Sequence, residues 1–428
     1  MNSYSIIIAA SLVIIISYFF NRFAQKTSFP SVLLLIILGI GLKQIDKVTG
    51  LLDGFDLLPV LEVLGIIGLI MIVLEAALDL KLSKDKTSLI LKSLALAFLG
   101  LIVNAGLIAL IIKSIWILDW YVSFLYSIPL SIMSSAIIIP SVESLIGRKK
   151  EFMIYESTFS DVLGIMMFYF FLSAGHQDTS GILAWNIVGN IGLTIAISVI
   201  SSYLLLFVFQ KIPSETKFFL MIAVLVLLYA LAKQLHLSSL LIILVFGLVL
   251  SNYKIFTGGK LKKFFIPEDL AVIKEDFTMV TMESSFIVRT FFFFIFGLSI
   301  SINSLFEGRV ILISILILAV IFASRFGLAR LIIGKNSYPE WQIAPRGLIT
   351  ILLFYGIPAD YHIEGFQDFQ GILLFVILLT SIIMGHAMIR NRHKIIHPDH
   401  VEFQVVNDYN NTKQQFNNKA DSDGIPME

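Results

Sequence analysis

Long apolar stretches separated by short polar ones run along almost the whole chain. A membrane-spanning helix needs roughly 20 apolar residues, within a range of about 17 to 25. By this length criterion the sequence predicts thirteen spanning helices, of which the second, eighth and ninth are short. The predicted segments are residues 4–20, 29–43, 58–80, 88–112, 121–147, 151–173, 185–209, 217–233, 237–251, 277–303, 309–333, 343–360 and 368–389.

The composition supports an all-α polytopic membrane protein. Of 428 residues, 57% are hydrophobic and 14% are charged, and the mean hydropathy is +0.90. Soluble domains carry about 25% charged residues, and one core could not bury so much apolar surface. The net charge of +1 gives no basic field for nucleic acid. Because the chain has no cysteine, disulfides and thiolate metal sites are excluded.

Basic residues predict the orientation of these segments. With the N-terminus outside, seventeen lysines and arginines fall in the loops that face the cytoplasm and five in the external loops. This excess is the positive-inside pattern, and one missed segment would destroy it. We therefore expect an external N-terminus and a cytoplasmic C-terminus, in the plasma (inner) membrane. The external basic residues are Lys43, Lys47, Lys113, Lys233 and Arg309.

Two polar regions lie outside the predicted segments. Residues 391–428 are rich in Asn, Asp and Gln and lack apolar periodicity, so we expect a largely disordered tail behind a membrane domain of residues 1–390. The basic loop 253–277 is the longest internal one. We expect it to lie on the anionic inner leaflet and to connect two halves of the protein.

Two carboxylates lie inside the sixth apolar segment. Asp161 is ten residues from the start of the segment, or about 15 Å, which is close to the middle of a hydrocarbon core about 30 Å thick. Ser157 and Asp161 share one helix face, as do Glu156 and Ser160. Carboxylate and hydroxyl oxygens are the ligands that hard cations prefer. An ionisable group at this depth predicts a functional site.

Segments five and twelve are interrupted by proline and glycine. Pro129 and Pro140 bracket Ser134 and Ser135 in segment five. Helix interruptions at corresponding positions in two halves indicate a transporter binding site at the repeat interface. We therefore expect segments four to six and eleven to thirteen to form the transporting core. The matching residues of segment twelve are Pro345, Gly347, Thr350, Gly356 and Pro358.

Three arginines lie within or beside apolar segments. Arg325 cannot easily lose its proton and therefore needs a counter-ion, for which we predict Glu156, leaving Asp161 unpaired. Arg346 lies near a helix end, and two alternatives stay open: its side chain extends to the membrane surface, or it is a core arginine like Arg289. Arg289 is also deep, and the sequence leaves three acids open as its partner: Glu62, Glu75 and Glu283.

These motifs resemble those of monovalent cation:proton antiporters of the sodium/proton exchanger type. The stretch from Glu156 to Asp161 resembles the family's Glu-Ser-x-x-Asn-Asp motif, and the stretch from Ala344 to Gly347 resembles its Leu-Arg-Gly motif. The run that ends at Gly297 resembles its aromatic tenth helix. Arg325 falls where the family has an arginine that pairs with the motif glutamate. The resemblance covers residues 4–390.

The resemblance implies a homodimer whose elevator-like core exchanges Na⁺, K⁺ or Li⁺ for H⁺ without a cofactor. It implies two inverted repeats with crossing broken helices, a dimerisation part at about 4–80 and 217–303, and a core part at about 88–173 and 309–389. The chain departs from the family at Ser160, where the motif has Asn, or Asp in the paired-aspartate branch. Ser134-Ser135-Ala136 also stands where many exchangers have Thr-Asp-Pro.

We expect Asp161 to bind either a proton or a cation, with Ser157, Ser160, Ser134 and Ser135 around it. With one unpaired acid, exchange is predicted to be electroneutral. A channel, a uniporter and a solute symporter stay open as alternatives. A channel would need a continuous polar pore. An enzyme is disfavoured because the sequence lacks His-Glu-x-x-His, Gly-x-Ser-x-Gly and paired catalytic aspartates.

Overall fold

All regular secondary structure in the described part of the chain is helical, as predicted. The computed structural model describes residues 3–27, 31–49, 58–80, 82, 84–142, 145, 147–174, 183–211, 217–234, 239–258, 264–299, 307–363 and 366–395. Within these ranges there are fifteen α-helices and no β-strand. They are α1 (Ser3–Thr27), α2 (Ser31–Thr49), α3 (Leu58–Asp79), α4 (Thr87–Trp116), α5 (Trp120–Ser131), α6 (Ser135–Ser141), α7 (Arg148–Ala174), α8 (Leu183–Phe209), α9 (Lys217–Gln234), α10 (Ser239–Ser251), α11 (Tyr253–Phe256), α12 (Pro267–Ser299), α13 (Gly308–Ile332), α14 (Leu348–Tyr355) and α15 (Phe366–Ile395).

Each of the thirteen predicted segments overlaps at least one of these helices. Six spans among the described residues are long and apolar enough to cross a membrane: 7–24, 87–116, 120–141, 267–299, 308–332 and 368–391. Segment five is divided into α5 and α6, and segment twelve retains only the eight residues of α14. Prolines and glycines predicted both interruptions.

One predicted helix start was wrong. Segment ten was expected to begin at residue 277 after a long loop, but α12 begins at Pro267 and the single turn α11 occupies part of that loop. Proline suits the first helical position, and Glu268 and Asp269 in the first turn interact favourably with the positive end of the helix dipole. The last helix continues to Ile395, so residues 391–395 of the predicted tail are helical. Residues 396–428 lie outside the described part, as do Lys260, Lys262 and Lys263 of the basic loop.

The helices form two groups according to their contacts. In the first, which we call the scaffold group, α12 packs on α2 and α3, α10 packs on α3, α8 and α9, and α1 packs on α2 and α12. In the second, the site group, α4 packs on α5, α7 and α13, and α13 packs on α15. The short helices α6 and α14 pack on α7 in the site group.

Close backbone contact holds the scaffold group together. A Cβ atom on Gly39 of α2 would lie 2.2 Å from the carbonyl oxygen of Phe294 in α12, and one on Gly297 would lie 2.4 Å from that of Ile36. The two helices can therefore cross only where both lack side chains. A hydrogen bond of 2.6 Å between the hydroxyls of Ser17 and Thr290 joins α1 to α12.

The two groups meet where α3 faces α14. Gly65 of α3 leaves space that Leu352 of α14 fills, because a Cβ added to Gly65 would lie 2.2 Å from Leu352 Cδ2. At Gly68 the nearest atom is Val288 Cγ1 of α12 at 2.8 Å, and Leu348 Cδ2 of α14 lies in ordinary contact at 3.9 Å. Helix α7 also contacts α3 and α10. The interrupted helix α14 therefore lies between the scaffold group and the rest of the site group.

Candidate functional site

The site is built around the break between α5 and α6. Helix α5 contains Pro129 and ends at Ser131, and the chain is extended at Ile132 and Ser134 before α6 begins at Ser135. Proline removes a backbone donor and crowds the preceding turn, which explains why the helix is interrupted here. An added Cβ on Gly164 of α7 would lie 2.3 Å from Ile132 Cγ1, so glycine makes room for the extended segment.

Three backbone N–H groups released by the break find partners on other elements. The amide of Met133 donates to Ser160 Oγ at 2.9 Å, and the amide of Ser135 donates to Asp161 Oδ2 at 3.1 Å. The amide of Ser134 donates to the Pro345 carbonyl at 2.9 Å, in the segment before α14. Buried N–H groups must be paired, and these three therefore hold the two broken helices and α7 together.

Arg346 binds the carbonyl groups that the break leaves at the end of α5. Its Nε donates to the Leu130 carbonyl at 2.8 Å, and its Nη2 lies 3.4 Å from that of Ser131. The residue is 2% exposed, so of the two alternatives it is a core arginine, and its side chain does not extend to the membrane surface. The physical reason is that carbonyls at a helix C-terminus carry partial negative charge and need donors, which a buried guanidinium supplies. Its backbone amide donates to Thr380 Oγ1 at 3.1 Å, and its Nη1 to the Ala344 carbonyl at 2.7 Å.

Asp161 is a buried carboxylate with incomplete hydrogen bonding. It is 2% exposed, and Oδ2 accepts the Ser135 amide. Oδ1 is buried and has no hydrogen-bond partner among the described residues. No lysine or arginine forms a salt bridge with it in that part of the chain. A buried charge without a partner is costly, so this carboxylate requires neutralisation by a proton or a cation.

Glu156, five residues earlier on α7, has a complete set of partners. Arg325 Nη1 donates to Oε1 at 2.6 Å and Nη2 to Oε2 at 3.0 Å, and the two residues are 1% and 9% exposed. The backbone carbonyl of Glu340 accepts from Arg325 Nε at 3.1 Å and from Nη2 at 2.9 Å. The structure thus brings together the two residues that were expected to pair, in the bidentate geometry that arginine and carboxylate favour.

The four serines predicted at the site are all buried, but they differ in what they contact. Ser160 Oγ accepts the Met133 amide, and the Ser135 backbone amide contacts Asp161. Ser157 Oγ donates to the Ile154 carbonyl at 3.1 Å within its own helix, although it shares a face with Asp161. Ser134 Oγ has no hydrogen-bond partner among the described residues.

Unpartnered oxygens accumulate around the crossing. Among the buried oxygens of the described site group that lack a hydrogen-bond partner, four come from the α5–α6 break, α7 and α14: Ser134 Oγ, Thr158 Oγ1, Asp161 Oδ1 and Thr350 Oγ1. Ser134 Oγ would lie 2.5 Å from a Cβ added to Gly347. Native proteins leave few buried oxygens unpaired, and hydroxyl and carboxylate oxygens are ligands for hard cations. By their chemistry these atoms are of the kind that a dehydrated monovalent cation prefers as ligands.

A small polar cavity separates the ion pair from the broken helix. Its volume is about 20 Å³, which is enough for one water molecule. Ser160, which stands where the resembled motif has the larger Asn, lines this cavity. The other polar side chains of the lining are Asn104, Glu156, Ser131, Arg325 and Arg346. Ser324 Oγ donates to Asn104 Oδ1 at 2.6 Å, which joins α13 to α4 behind the cavity.

Arg289 lies in the scaffold group, away from these residues. Its Nη2 is 3.4 Å from Glu75 Oε1, with side-chain exposures of 20% and 14%. The structure therefore selects Glu75 from the three acids left open. Glu283 is exposed, and the side chain of Glu62 lies outside the described residues.

Sequence reasoning missed two charged residues next to the Glu156–Arg325 pair. In the sequence, Lys149 is one of the seventeen basic residues of the predicted cytoplasmic loops, and Glu340 lies in the loop between segments eleven and twelve. Glu340 is 3% exposed and accepts from Lys149 Nζ at 3.0 Å. A buried acid in a loop between two apolar segments was the available signal, because such acids are rarely buried without a partner.

No site for a resident metal is found among the described residues, which contain no group of three or more His, Cys, Asp or Glu side chains placed to bind one. The arrangement instead offers one unpaired carboxylate and nearby hydroxyls at a helix crossing. This chemistry suits reversible binding of a proton or of one small monovalent cation.

Comparisons with known proteins agree with the fold. A profile of the family described as "Sodium/hydrogen exchanger, transmembrane" matches residues 8–389. The sodium proton antiporter MjNhaP1 from Methanocaldococcus jannaschii, in a structure at pH 8, is 20% identical, with a TM-score of 0.67 over 90% of this chain and 100% of that one. A structure of the same antiporter from an electron-microscopy map is 19% identical, with a TM-score of 0.65 over 92% and 96% of the two chains. No curated protein matches the sequence. At these identities the structures show a shared fold. The family profile spans most of the chain, and the protein therefore belongs to the transmembrane sodium/hydrogen exchanger family.

Proposed function

We propose that this protein is a secondary active antiporter that exchanges Na⁺, K⁺ or Li⁺ for H⁺. The observation that carries the proposal is the state of Asp161. It is buried at the crossing of two broken helices, one of its oxygens is held by the Ser135 amide, and the other has no hydrogen-bond partner in the described part of the chain. Membership of the sodium/hydrogen exchanger family supports Na⁺ and H⁺ among these substrates.

The mechanism is competition for this one carboxylate. Burial makes the bare anion costly, so Asp161 carries either a proton or a cation when it is away from water. A site neutralised in either way can cross the low-dielectric region of the membrane, whereas the empty charged site cannot. Exchange then follows from the two gradients and needs no other energy source.

The surrounding hydroxyls supply further cation ligands. Ser134 Oγ is unpartnered beside the crossing, and Ser157 Oγ, although it donates a hydrogen bond to Ile154, keeps lone pairs for a cation. Ser135 and Ser160 have a positioning role, because one holds Asp161 through its amide and the other holds the Met133 amide.

The helix contacts favour an elevator-like mechanism, in which one part of the protein moves and the other forms the dimer. In this proposal residues 88–173 and 309–389 form a moving core, residues 4–80 and 217–303 form the dimerisation part of a homodimer, and the two halves are inverted repeats. The separate contacts within the site group and the scaffold group support such a division. The N-terminus is outside and the C-terminus is cytoplasmic, in the plasma (inner) membrane, by the distribution of basic residues.

The proposal can be tested with purified protein in liposomes that contain a pH-sensitive dye. An outward proton gradient is imposed, and NaCl, KCl or LiCl is added outside, with N-methylglucamine chloride as the control. We expect at least one of the three cations to drive proton movement opposite to its own. Cation uptake without counter-movement of protons would indicate a uniporter or channel, and movement of both in one direction would indicate a symporter.

A further inference from the structure

Lys149 uses all three of its ammonium donors on one loop. It lies one residue after the start of α7, and its Nζ contacts the carbonyls of Asn336 and Tyr338 and the carboxylate of Glu340. These acceptors belong to the segment between α13 and α14. An ammonium group has three N–H donors, so each of them has a partner here.

The same loop residue also contacts the buried ion pair. The Glu340 side chain accepts from Lys149, and the Glu340 backbone carbonyl accepts two hydrogen bonds from Arg325, which in turn holds Glu156. A continuous series of contacts therefore runs from the membrane surface that we predict to be cytoplasmic to the interior of α7.

The position of this loop also determines where the crossing begins. Four residues after Glu340, the chain reaches Ala344 and then Pro345, whose carbonyl holds the Ser134 amide. Arg346 follows and binds the end of α5. A shift of the loop would therefore disturb Arg325 on one side and the α5–α6 break on the other.

We propose that Lys149 and Glu340 are a positioning pair for the exchange site, linking the end of α7 to the entry of α14. This inference rests on the proposed function, because the site that it positions is the Asp161 site. Glu340 is 3% exposed, whereas Lys149 is 40% exposed. The pair therefore combines a buried acid with a base that is accessible from one side of the membrane.

The chain offers a matched control pair at the start of α4 and α7. Lys86 donates to Glu151 at 2.6 Å, and the two side chains are 42% and 38% exposed. By its geometry this is also an ion pair, and the hydrogen bond to Glu151 raises the pKa of the Lys86 ammonium. It has no contact with the loop before α14 among the hydrogen bonds of the described residues.

The kinetic test compares Lys149→Met, Lys149→Arg, Glu340→Gln, the double variant Lys149→Met/Glu340→Gln, and Lys86→Met in liposomes. Lys149→Met should raise the apparent KM for the cation by about threefold, which is below the roughly 10–100-fold effect of groups that touch an ion's ligands, because Lys149 is more than one contact away from Asp161. It should also shift the pH profile of exchange. Lys149→Arg should retain wild-type values. Lys86→Met should leave KM and the pH profile unchanged.

Glu340→Gln removes the charge of the side chain but keeps the backbone carbonyl that accepts from Arg325. The single variant should therefore have a KM close to that of the wild type. In the double variant no buried acid is left without its base, and KM should return part of the way towards wild type. Three results would show that the proposal is wrong. Lys149→Met could behave like Lys86→Met, or it could lower only the amount of folded protein. In the third case, adding Glu340→Gln to Lys149→Met would not bring KM back towards the wild-type value.

A second measurement reads the loop position without transport. Because the chain has no cysteine, a spin label at Asn336→Cys would be a unique probe, and the backbone carbonyl of that residue would still accept from Lys149. Label mobility should rise in the Lys149→Met background and not in Lys86→Met. If wild type shows no exchange, the proposed function fails while this measurement still tests the pair. If exchange is present and neither KM nor mobility responds, the pair fails alone.

Discussion

Helix α7 carries two buried carboxylates five residues apart, and their surroundings are opposite. Glu156 has both oxygens bound by Arg325, which the Glu340 carbonyl holds from the other side. Asp161 has one oxygen on a backbone amide and one without a partner in the described part of the chain. Their residue class, helix and degree of burial are nearly the same. Partners rather than burial therefore distinguish a structural acid from one that is available to exchange ligands.

The largest effect is expected from removing the charge of the unpaired acid. Asp161→Asn keeps the size of the side chain and an oxygen for the Ser135 amide, but it can neither take up a proton nor neutralise a cation. Exchange should fall to the level of protein-free liposomes, while expression and the elution volume of the purified protein stay unchanged. Asp360→Asn, at an exposed position, is the control and should exchange normally. Cation-driven proton movement in Asp161→Asn would contradict the contrast between the two acids.

The paired acid should instead affect stability. Removing one member of a buried ion pair typically costs about 3–5 kcal/mol, because the other charge is left uncompensated. Glu156→Gln and Arg325→Gln should each lower the melting temperature, and the double variant should recover part of the loss. Thermal unfolding in detergent, followed for all four proteins, measures this. Strictly additive losses would mean that the two residues are not coupled.

The sequence predicted this pair because a deep arginine has to keep its proton and therefore needs an acid. It predicted the interruptions from Pro129 and Gly347 for a similar local reason. It could not place Arg346, because its partners are carbonyl groups that become available only where α5 stops being helical. Nor could it select Glu75 for Arg289, since that choice depends on how α3 and α12 pack.

The serines show the same limit within a single helix. Ser157 lies four residues before Asp161, and helical spacing places the two on one face. The hydroxyl nevertheless donates to Ile154, because serine in a helix readily bonds to a carbonyl of the preceding turn. Spacing predicts which residues are neighbours but does not decide between a backbone carbonyl and a side chain as the partner.

A smaller effect is expected from crowding the helix crossing. A methyl group at Gly347 would lie 2.5 Å from Ser134 Oγ and 2.9 Å from Ile137 Cδ1, so Gly347→Ala must displace one of them. Overpacking of this kind costs roughly 1–3 kcal/mol. We expect the apparent cation affinity in liposomes to fall by more than the loss of stability, measured by the melting temperature, would explain. Gly327→Ala in α13, where nothing lies within 4 Å of the added atom, should have neither effect. If Gly347→Ala and Gly327→Ala lost cation affinity equally, the helix crossing would not be part of the binding site.

The smallest expected effect is that of membrane voltage. If Asp161 is the one unpaired acid, one monovalent cation moves for one proton and no net charge crosses the membrane. Exchange in liposomes clamped with valinomycin and K⁺ gradients, with Na⁺ or Li⁺ as the driven cation, should then be independent of potential. Ser160→Asp would place a second acid beside the cavity lined by Arg346 and should introduce voltage dependence if that acid titrates. Voltage dependence in wild type would show that another charged group takes part.

The most direct test of the contrast between Asp161 and Glu156 is to count protons released when a cation binds. Purified protein in weakly buffered detergent solution is titrated with NaCl, KCl or LiCl, and released protons are measured with a pH indicator, with N-methylglucamine chloride as the control for ionic strength. Wild type and the Glu156→Gln/Arg325→Gln double variant should each release protons in a saturable way as the cation binds, and Asp161→Asn should release none. Saturable release from Asp161→Asn, or its loss in a folded double variant, would contradict the account.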